Sequence, residues 1–308
     1  MGSNGEVFFA QNNDFWENYL KGRPRPPDAF FDRIFAYHQS QGNGNFGTVH
    51  DVGAGNGPYA QKLRTRFSHV IVSDIVPRNV QLAQHRLGTN GFSYRAGKLE
   101  EADDIEESSI DMVFATNVMH FPADQEAAMA AVARQLRPGG SFICSAFGTA
   151  RFFDAKVQDI WARINYQGGR LLLRKAESPE QTIAILARTD GHYNVAPLSP
   201  DLFIPGAKRY HLNMTHGGNM TLIPPEQENK ETQPGYTGPD DDEIFQDEEG
   251  WSFNADLEGV KEHFNSFPFV SEDPSSFADL FRELEEAMAG GKVVQGCWPA
   301  TIILATRQ

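Results

Sequence analysis

The chain is short of cysteine, with two in 308 residues, Cys144 and Cys297. Two thiols cannot staple a small secreted scaffold, and both stand in apolar, strand-like runs. They are expected to be buried and reduced, in a reducing compartment. Positive charge is also scarce: 27 Lys and Arg face 41 Asp and Glu, a net charge of −14. That balance argues against nucleic acid as a partner, which calls for a basic face. No apolar run reaches the roughly 18 residues of a membrane helix, so no membrane association is expected. The opening MGSNGEVFFAQ has neither a basic n-region nor an apolar core, so it does not read as a secretory signal. Glu6 stands where a myristoylation signal needs Ser or Thr. The expectation is a cytoplasmic protein, and no internal repeat is visible.

A 40% hydrophobic content over this length supports a full globular core. The chain is organised around residues 48–74. Residues 48–52 form a short apolar run suited to a buried strand. Gly53-Ala54-Gly55-Asn56-Gly57 follows, a turn whose glycines let the backbone bend tightly beside a ligand. Pro58 then suits the first turn of a helix over about 58–66. A second buried strand, 69–73, closes on Asp74. Strand, Gly-rich turn, helix, strand and acid make a nucleotide-binding βαβ unit. A pyrophosphate would want G-x-G-x-x-G, whereas this turn is D-x-G-x-G-x-G from Asp51. A carboxylate there repels phosphate and suits a cationic amino group, which S-adenosylmethionine (SAM) presents. Asp74 is placed to accept from two ribose hydroxyls. NAD, or no ligand at all, remains an alternative on these residues alone.

On these residues the sequence resembles the class I SAM-dependent methyltransferases, and the resemblance is specific over about 48–147. It implies SAM as cofactor, held by Asp51, Gly53, Ala54, Gly55, Gly57, Asp74 and Ile75. It adds Lys98 and Leu99 after a third strand at 92–96, and Asn117 and Val118 after a fourth at 110–115. Lys98 departs from the acid the family usually carries there, while Leu99 still offers an apolar edge and a backbone N–H to adenine. The LRPGG turn at 136–140, before a fifth strand at 141–147, belongs to the same resemblance. Upstream, Trp16-x-x-Tyr19, Arg23-Pro24, Phe31-x-x-Ile34 and Tyr37-His38 resemble the N-terminal helices of fungal trans-aconitate-methyltransferase-like and secondary-metabolite methyltransferases. In that family the segment closes over the cofactor and substrate sites.

The rest of the pattern completes an α/β reading. Helices are expected at 13–21, at 29–37 capped by Asp28, at 79–87 and at 123–136 with Ala127 facing inward. After Gly148 come a helix at 151–164, another at 179–188, a loop at 193–203 and a strand at 207–214. A long exposed loop is expected at 224–249, where Pro, Gly, Asp and Glu dominate. A helix at 276–288 and one strand within 293–306 end the chain. The expected fold is a doubly wound, Rossmann-like, seven-stranded, mostly parallel sheet with a cap inserted after strand five. Its parts are N-terminal helices (1–40), a SAM-binding core (41–149), the cap (150–250) and a C-terminal completion of the sheet (251–308).

Methyl transfer from SAM is an in-line displacement on a strong electrophile. Much of the catalysis comes from alignment in a dry site, and a base is needed only for a protonated, weakly acidic nucleophile. His120 is the candidate base, with a packing role as its alternative. If the substrate is apolar, Phe15, Trp16, Tyr19, Phe152, Phe153 and Trp161 are candidate walls. If it is an acid, Arg23 is the candidate among several arginines. His192, His211 and His216 make no convincing metal set, and no metal is expected. The expected reaction moves a methyl group to a carboxylate or hydroxyl oxygen of a small molecule, an organic acid or natural product. The alternative is a methyltransferase fold that uses SAM for cyclisation or rearrangement, or that binds a partner as a regulator.

Overall fold

The structure is a computed structural model and describes residues 13–215, 217–227 and 235–308, with side chains from Trp16 onward. The expected N-terminal tail, the Phe15 side chain, His216 and part of the 224–249 loop lie outside the described residues.

Strands β1 (Thr48–Val52), β2 (His69–Asp74), β3 (Phe92–Ala96), β4 (Ile110–Thr116) and β5 (Leu136–Phe147) pair in parallel around β1. Side chains alternate between faces, and the core divides accordingly. Met112 and Phe114 of β4 join one apolar cluster, while Val113 and Ala115 join another. The first is covered by Phe30, Phe31, Ile34 and Phe35 of α2 (Asp28–Ser40), following α1 (Asn13–Gly22), and by Leu63 of α3 (Ala60–Arg64). α4 (Pro77–Leu87) adds Ala83 there. The second is covered by Met129, Val132 and Ala133 of α5 (Gln125–Gln135) and by the 193–203 loop.

Among the described residues the sheet has eight strands where seven are expected. Its order is β3-β2-β1-β4-β5-β11-β7-β8, with β7 (Lys208–Leu212), β8 (Asp242–Gln246) and β11 (Ala300–Thr306). β11 is the antiparallel member, between β5 and β7. β8 comes from the segment expected to be a loop; it pairs with β7 at the sheet edge. Its mostly exposed DEIFQ sequence buries no continuous face, which is why composition alone reads as loop. Two further strands appear, β9 (Ser252–Ala255) and β10 (Val294–Cys297), forming a small sheet with β6 (Arg151–Phe152). The expected single last strand therefore splits between two sheets.

Other expectations are corrected locally. LRPGG is no turn but the start of β5: Leu136 pairs with Ile110, and the register shifts before Met112. Asp28 does not cap α2; Pro27 holds the cap position and the Asp28 carboxylate pairs with Lys62 at 2.6 Å. Ala127 is exposed, and Ala128 faces the core instead. The helix expected from 151 begins later, as α6 (Ala155–Lys175), because Arg151 and Phe152 pair with β10.

A third cluster forms the cap. It joins Val157, Ile160, Trp161 and Ile164 of α6 to Phe264 of α8 (Leu257–Asn265), Phe269 of α9 (Pro268–Ser271) and Leu284 of α10 (Ala278–Ala287). α7 (Pro179–Thr189) packs on α6, and α1 packs on α8. The cap is thus not confined to 150–250: β7 and β8 of that stretch extend the main sheet, and α8–α10 of the C-terminal stretch build the cap.

Candidate active site

A cavity of about 770 Å³ opens at the carboxyl ends of β1, β2 and β4. In a doubly wound sheet this crevice is where ligands bind. Asp51 and Gly53 from β1 and its turn, Asp74 from β2, and Asn117 after β4 all reach its wall.

The two acids differ in what they touch. Asp74 Oδ2 accepts from the Gly55 N–H at 2.8 Å, and Oδ1 accepts from the Val76 N–H at 2.9 Å and Asn79 Nδ2 at 3.2 Å. These bonds fix the carboxylate at the lip of the turn and leave lone pairs for a diol. Burial nevertheless pushes its pKa up. Asp51 is 1% exposed, and among the described residues its Oδ2 has no hydrogen-bond partner. Burial, then the Asp74 charge, pushes its pKa up to about 8. An orphaned buried carboxylate oxygen beside a ligand cavity fits a cationic ammonium.

The turn leaves no room for a side chain at Gly53 or Gly55. Gly53 has φ +60°, and a Cβ there would lie 2.2 Å from Val118 Cγ2. Gly55 has φ +57°, and a Cβ would lie 2.3 Å from the Trp16 ring. Gly57, with φ +73°, shapes the turn from outside the cavity, its carbonyl accepting from Arg86. Ala54, Ile75, Lys98, Leu99 and Val118 line the neighbouring wall. The Lys98 ammonium pairs with Glu101 at 2.9 Å.

Asn117 takes the left-handed backbone region at φ +56°, unusual for a residue other than glycine. Its Oδ1 accepts from the Phe147 N–H at 2.9 Å, and its own N–H donates to Ser145 O at 2.8 Å. His120 Nδ1 lies 3.1 Å from the Tyr193 hydroxyl. Burial, then Arg188, pushes the His120 pKa down to about 3, so the imidazole is neutral at physiological pH. Arg188 donates to the carbonyls of Pro122 at 2.8 Å, His120 at 3.3 Å and Ala123 at 3.3 Å. Gln125 Nε2 donates to Met119 O at 2.7 Å and Pro122 O at 2.9 Å, pinning the same loop.

Trp16, Tyr19 and Arg23 of the N-terminal segment line the cavity opposite the turn. Trp16 Nε1 donates to Asn79 Oδ1 at 3.1 Å, so one residue ties both α1 and Asp74 together. Phe152 and Trp161 do not line the cavity. Trp161 is fully buried, stacked on Phe264 at 4.5 Å with Nε1 donating to Ala150 O. Phe152 packs edge-on against Phe253 and Phe264. Phe153 is 63% exposed and faces away from the core. The amphipathic pattern of Phe152 and Trp161 reports the cap's own core. The chamber walls come instead from Leu172, Ile185, Met220, Leu222 and Phe269. Sequence reading missed Asn79, Tyr193, Arg188 and Phe267; nothing in their local pattern marks them.

A family profile described as "Methyltransferase domain" matches residues 50–144. The chain is 60% identical to "Methyltransferase AacuQ" of Aspergillus aculeatus over 97% of its own length and 95% of that protein. It is 55% identical to "Methyltransferase tpcM" of Aspergillus fumigatus, over 97% of this chain and 93% of that one. A solved structure from Anaeromyxobacter dehalogenans, provisionally named a type II methyltransferase, superposes with a TM-score of 0.55 at 18% identity. It covers 92% of this chain and 97% of that one, and supports the fold. With that likeness and the cavity geometry, the chain belongs to the class I SAM-dependent methyltransferases, and its cofactor is S-adenosyl-L-methionine.

Proposed function

We propose that the enzyme methylates an oxygen, carboxylate or ionised hydroxyl, of a small and largely apolar molecule. The observation that carries this reading is the chamber beyond Asn117 and His120. It is bordered by α6, α7, residues 219–222 and residues 267–269, with Leu172, Ile185, Met220, Leu222 and Phe269 as its apolar wall and Glu177 and Gln181 among its polar members. A partly open, largely apolar chamber of this kind suits a flat natural product. A polyacid such as trans-aconitate would need several cations. Among the described residues the cations on the cavity wall are Arg23, Lys98 and Arg188; Lys98 pairs with Glu101, and Arg188 donates to three backbone carbonyls. The balance favours one acidic oxygen.

The cofactor supplies an electrophilic methyl group when bound. For the chain's residues we assign the following roles. Asp51 meets the ammonium, Asp74 the ribose, and Leu99 with Val118 the adenine. Gly53 and Gly55 permit close approach, and Trp16 closes over Gly55 from α1. The cap excludes water. His120, neutral and fixed through Tyr193, orients the acceptor oxygen. A base whose pKa is about 3 is poorly matched to a phenol of pKa near 10, so the reading favours an acceptor already ionised at neutral pH, a carboxylate or an acidic phenol. The test is incubation of the purified enzyme with SAM and a panel of aromatic acids, phenols and aliphatic tricarboxylates, read by mass spectrometry of the methylated product. Turnover confined to tricarboxylates or to amines would overturn the reading.

A further inference from the structure

His120 and Tyr193 both line the cavity and are bonded to each other. Tyr193 is 1% exposed, and its hydroxyl lies 3.1 Å from His120 Nδ1. A buried phenol needs an acceptor for its proton. Among the described residues no carbonyl or carboxylate oxygen accepts from that hydroxyl. The backbone amides of His120 and Met119 also act on it, and amides are donors. The hydroxyl therefore donates to Nδ1. The opposite flip of the ring would set a carbon there and strand the phenol.

A neutral imidazole that accepts at Nδ1 carries its proton on Nε2. Burial, then Arg188, keeps the ring neutral. The bond to Tyr193 favours the same state, because imidazolium would turn Nδ1 into a second donor against the phenol. Nε2 has no partner among the described residues and is not sealed off by protein, so it meets the cavity that His120 lines. The ring presents a donor there and no lone pair.

The surroundings hold the pair in place. Phe121 packs on the imidazole with ring centres 4.1 Å apart. Gln125 joins the two loops: its Nε2 donates to Met119 O and Pro122 O, and its Oε1 accepts from the Ala196 N–H at 3.1 Å. Tyr193 and Ala196 take left-handed backbone, at φ +56° and +61°. Such strain persists only where the surrounding structure determines it. Here it sets the phenol against the imidazole.

We propose that Tyr193 is a positioning residue that keeps the His120 proton on Nε2, and that this N–H donates to the anionic oxygen of the methyl acceptor. The proposal rests on the oxygen-acceptor reading. A donor suits an oxygen with lone pairs and negative charge, and it rejects an ammonium, which brings only donors. No proton moves in the transfer: an oxygen lone pair forms the bond to carbon, and the carbon–sulfur pair leaves on sulfur. The oxygen loses charge on the way, so the hydrogen bond is stronger before transfer than during it. Its loss therefore falls on the acceptor's KM more than on kcat.

Long-range proton–nitrogen correlation spectra of the isotope-labelled enzyme distinguish the two neutral tautomers from each other and from imidazolium. With S-adenosylhomocysteine and no acceptor, His120 should show a single Nε2–H form at pH 7, and Tyr193→Phe should bring in the Nδ1–H form. A wild-type proton on Nδ1 would overturn the proposal without any variant, and so would an unchanged pattern in Tyr193→Phe. Kinetics would use the aromatic acid or phenol turned over fastest. Tyr193→Phe should raise its KM about 10-fold, the scale of a hydrogen bond to a charged group, and change kcat by less. His120→Gln supplies an amide donor that cannot act as a base, and it should recover part of what His120→Ala loses. In the His120→Gln background Tyr193→Phe should add little, because no tautomer is left to set. An equal cost in both backgrounds would reduce Tyr193 to packing and overturn the proposal. Methylation confined to amines would overturn the oxygen reading and the donor with it, whereas oxygen methylation with the wrong tautomer would overturn the donor alone.

Discussion

Replacing Asp51 by Asn should change how the protein responds to pH, with and without its cofactor. The Asp51 carboxyl titrates at about 8 in the folded protein against 3.8 as the ordinary value, chiefly through burial and then through Asp74. The folded state therefore holds this proton more tightly than the unfolded state. The contribution to stability is most favourable below about pH 4 and is lost as pH rises towards 8. Between pH 6 and pH 9 the loss amounts to roughly 2–3 kcal/mol, about 4 °C in Tm for a chain of this size. The uncharged amide of the Asp51→Asn variant would carry no such titration. The gap between the Tm of Asp51→Asn and that of the wild type, followed by differential scanning fluorimetry without ligand, should thus widen by about 4 °C from pH 6 to pH 9. Subtracting one protein from the other cancels the histidines and surface acids common to both. A bound ammonium favours the ionised carboxylate. Cofactor binding at pH 7 should then release about one proton in the wild type and close to none in the variant. Calorimetry in buffers of different ionisation heat reads that number. Parallel Tm curves together with identical proton release would refute the placement of Asp51 as the orphaned acid that receives the amino group.

Asp74→Ala should weaken cofactor binding by roughly 1–3 kcal/mol through lost charge-assisted hydrogen bonds; unchanged affinity in a titration would place the ribose elsewhere. Gly53→Ala forces a Cβ to 2.2 Å from Val118 at φ +60° and should both lower Tm and abolish measurable binding, so a variant binding normally would show that the turn is not the close approach. The kcat/KM profile between pH 5 and pH 8 should carry no inflection from His120, and His120→Ala should slow turnover by less than the ~100-fold expected of a general base. An inflection near 6.5 that disappears in the variant would make His120 the base. His50, His120 and His263 are held at about 4, 3 and 3 by burial. Their neutral forms support a stability that is full above about pH 6.5 and lost as pH falls towards 3. A flat Tm between pH 7 and pH 4 would contradict that.

The order of elements from β1 to β5 was readable because local signals agreed with one another. Apolar runs, a glycine turn and an acid at a fixed distance leave few alternatives for residues 48–74. The signal fades after Gly148, where elements are chosen by partners far away in the chain. Arg151 and Phe152 look helical beside the stripe of α6, yet β10 captures them as a strand from about 140 residues downstream. β8 is exposed and acidic, so its pattern says loop; only the free edge of β7 makes it a strand. Such edge pairings leave no periodicity to read.

The cavity floor and the cavity roof were legible to different degrees for the same reason. The floor is backbone geometry, and glycines at 53 and 55 announce it because any other residue would collide there. The roof is side-chain packing, in which an aromatic stripe cannot say whether it faces a ligand or its own core. Trp16 and Trp161 illustrate the difficulty. Both sit on amphipathic helices, and both are buried with a bonded indole N–H. Trp161 donates to Ala150 O within the cap and stacks on Phe264, so it closes a core. Trp16 donates to Asn79, which donates to Asp74, so the same chemistry spans the cavity from α1 to the β2 acid. What separates them is the partner at the far end of the hydrogen bond, and that partner is 63 residues away in one case and 11 in the other. Asn79 is therefore the residue that joins the position of α1 to the orientation of Asp74.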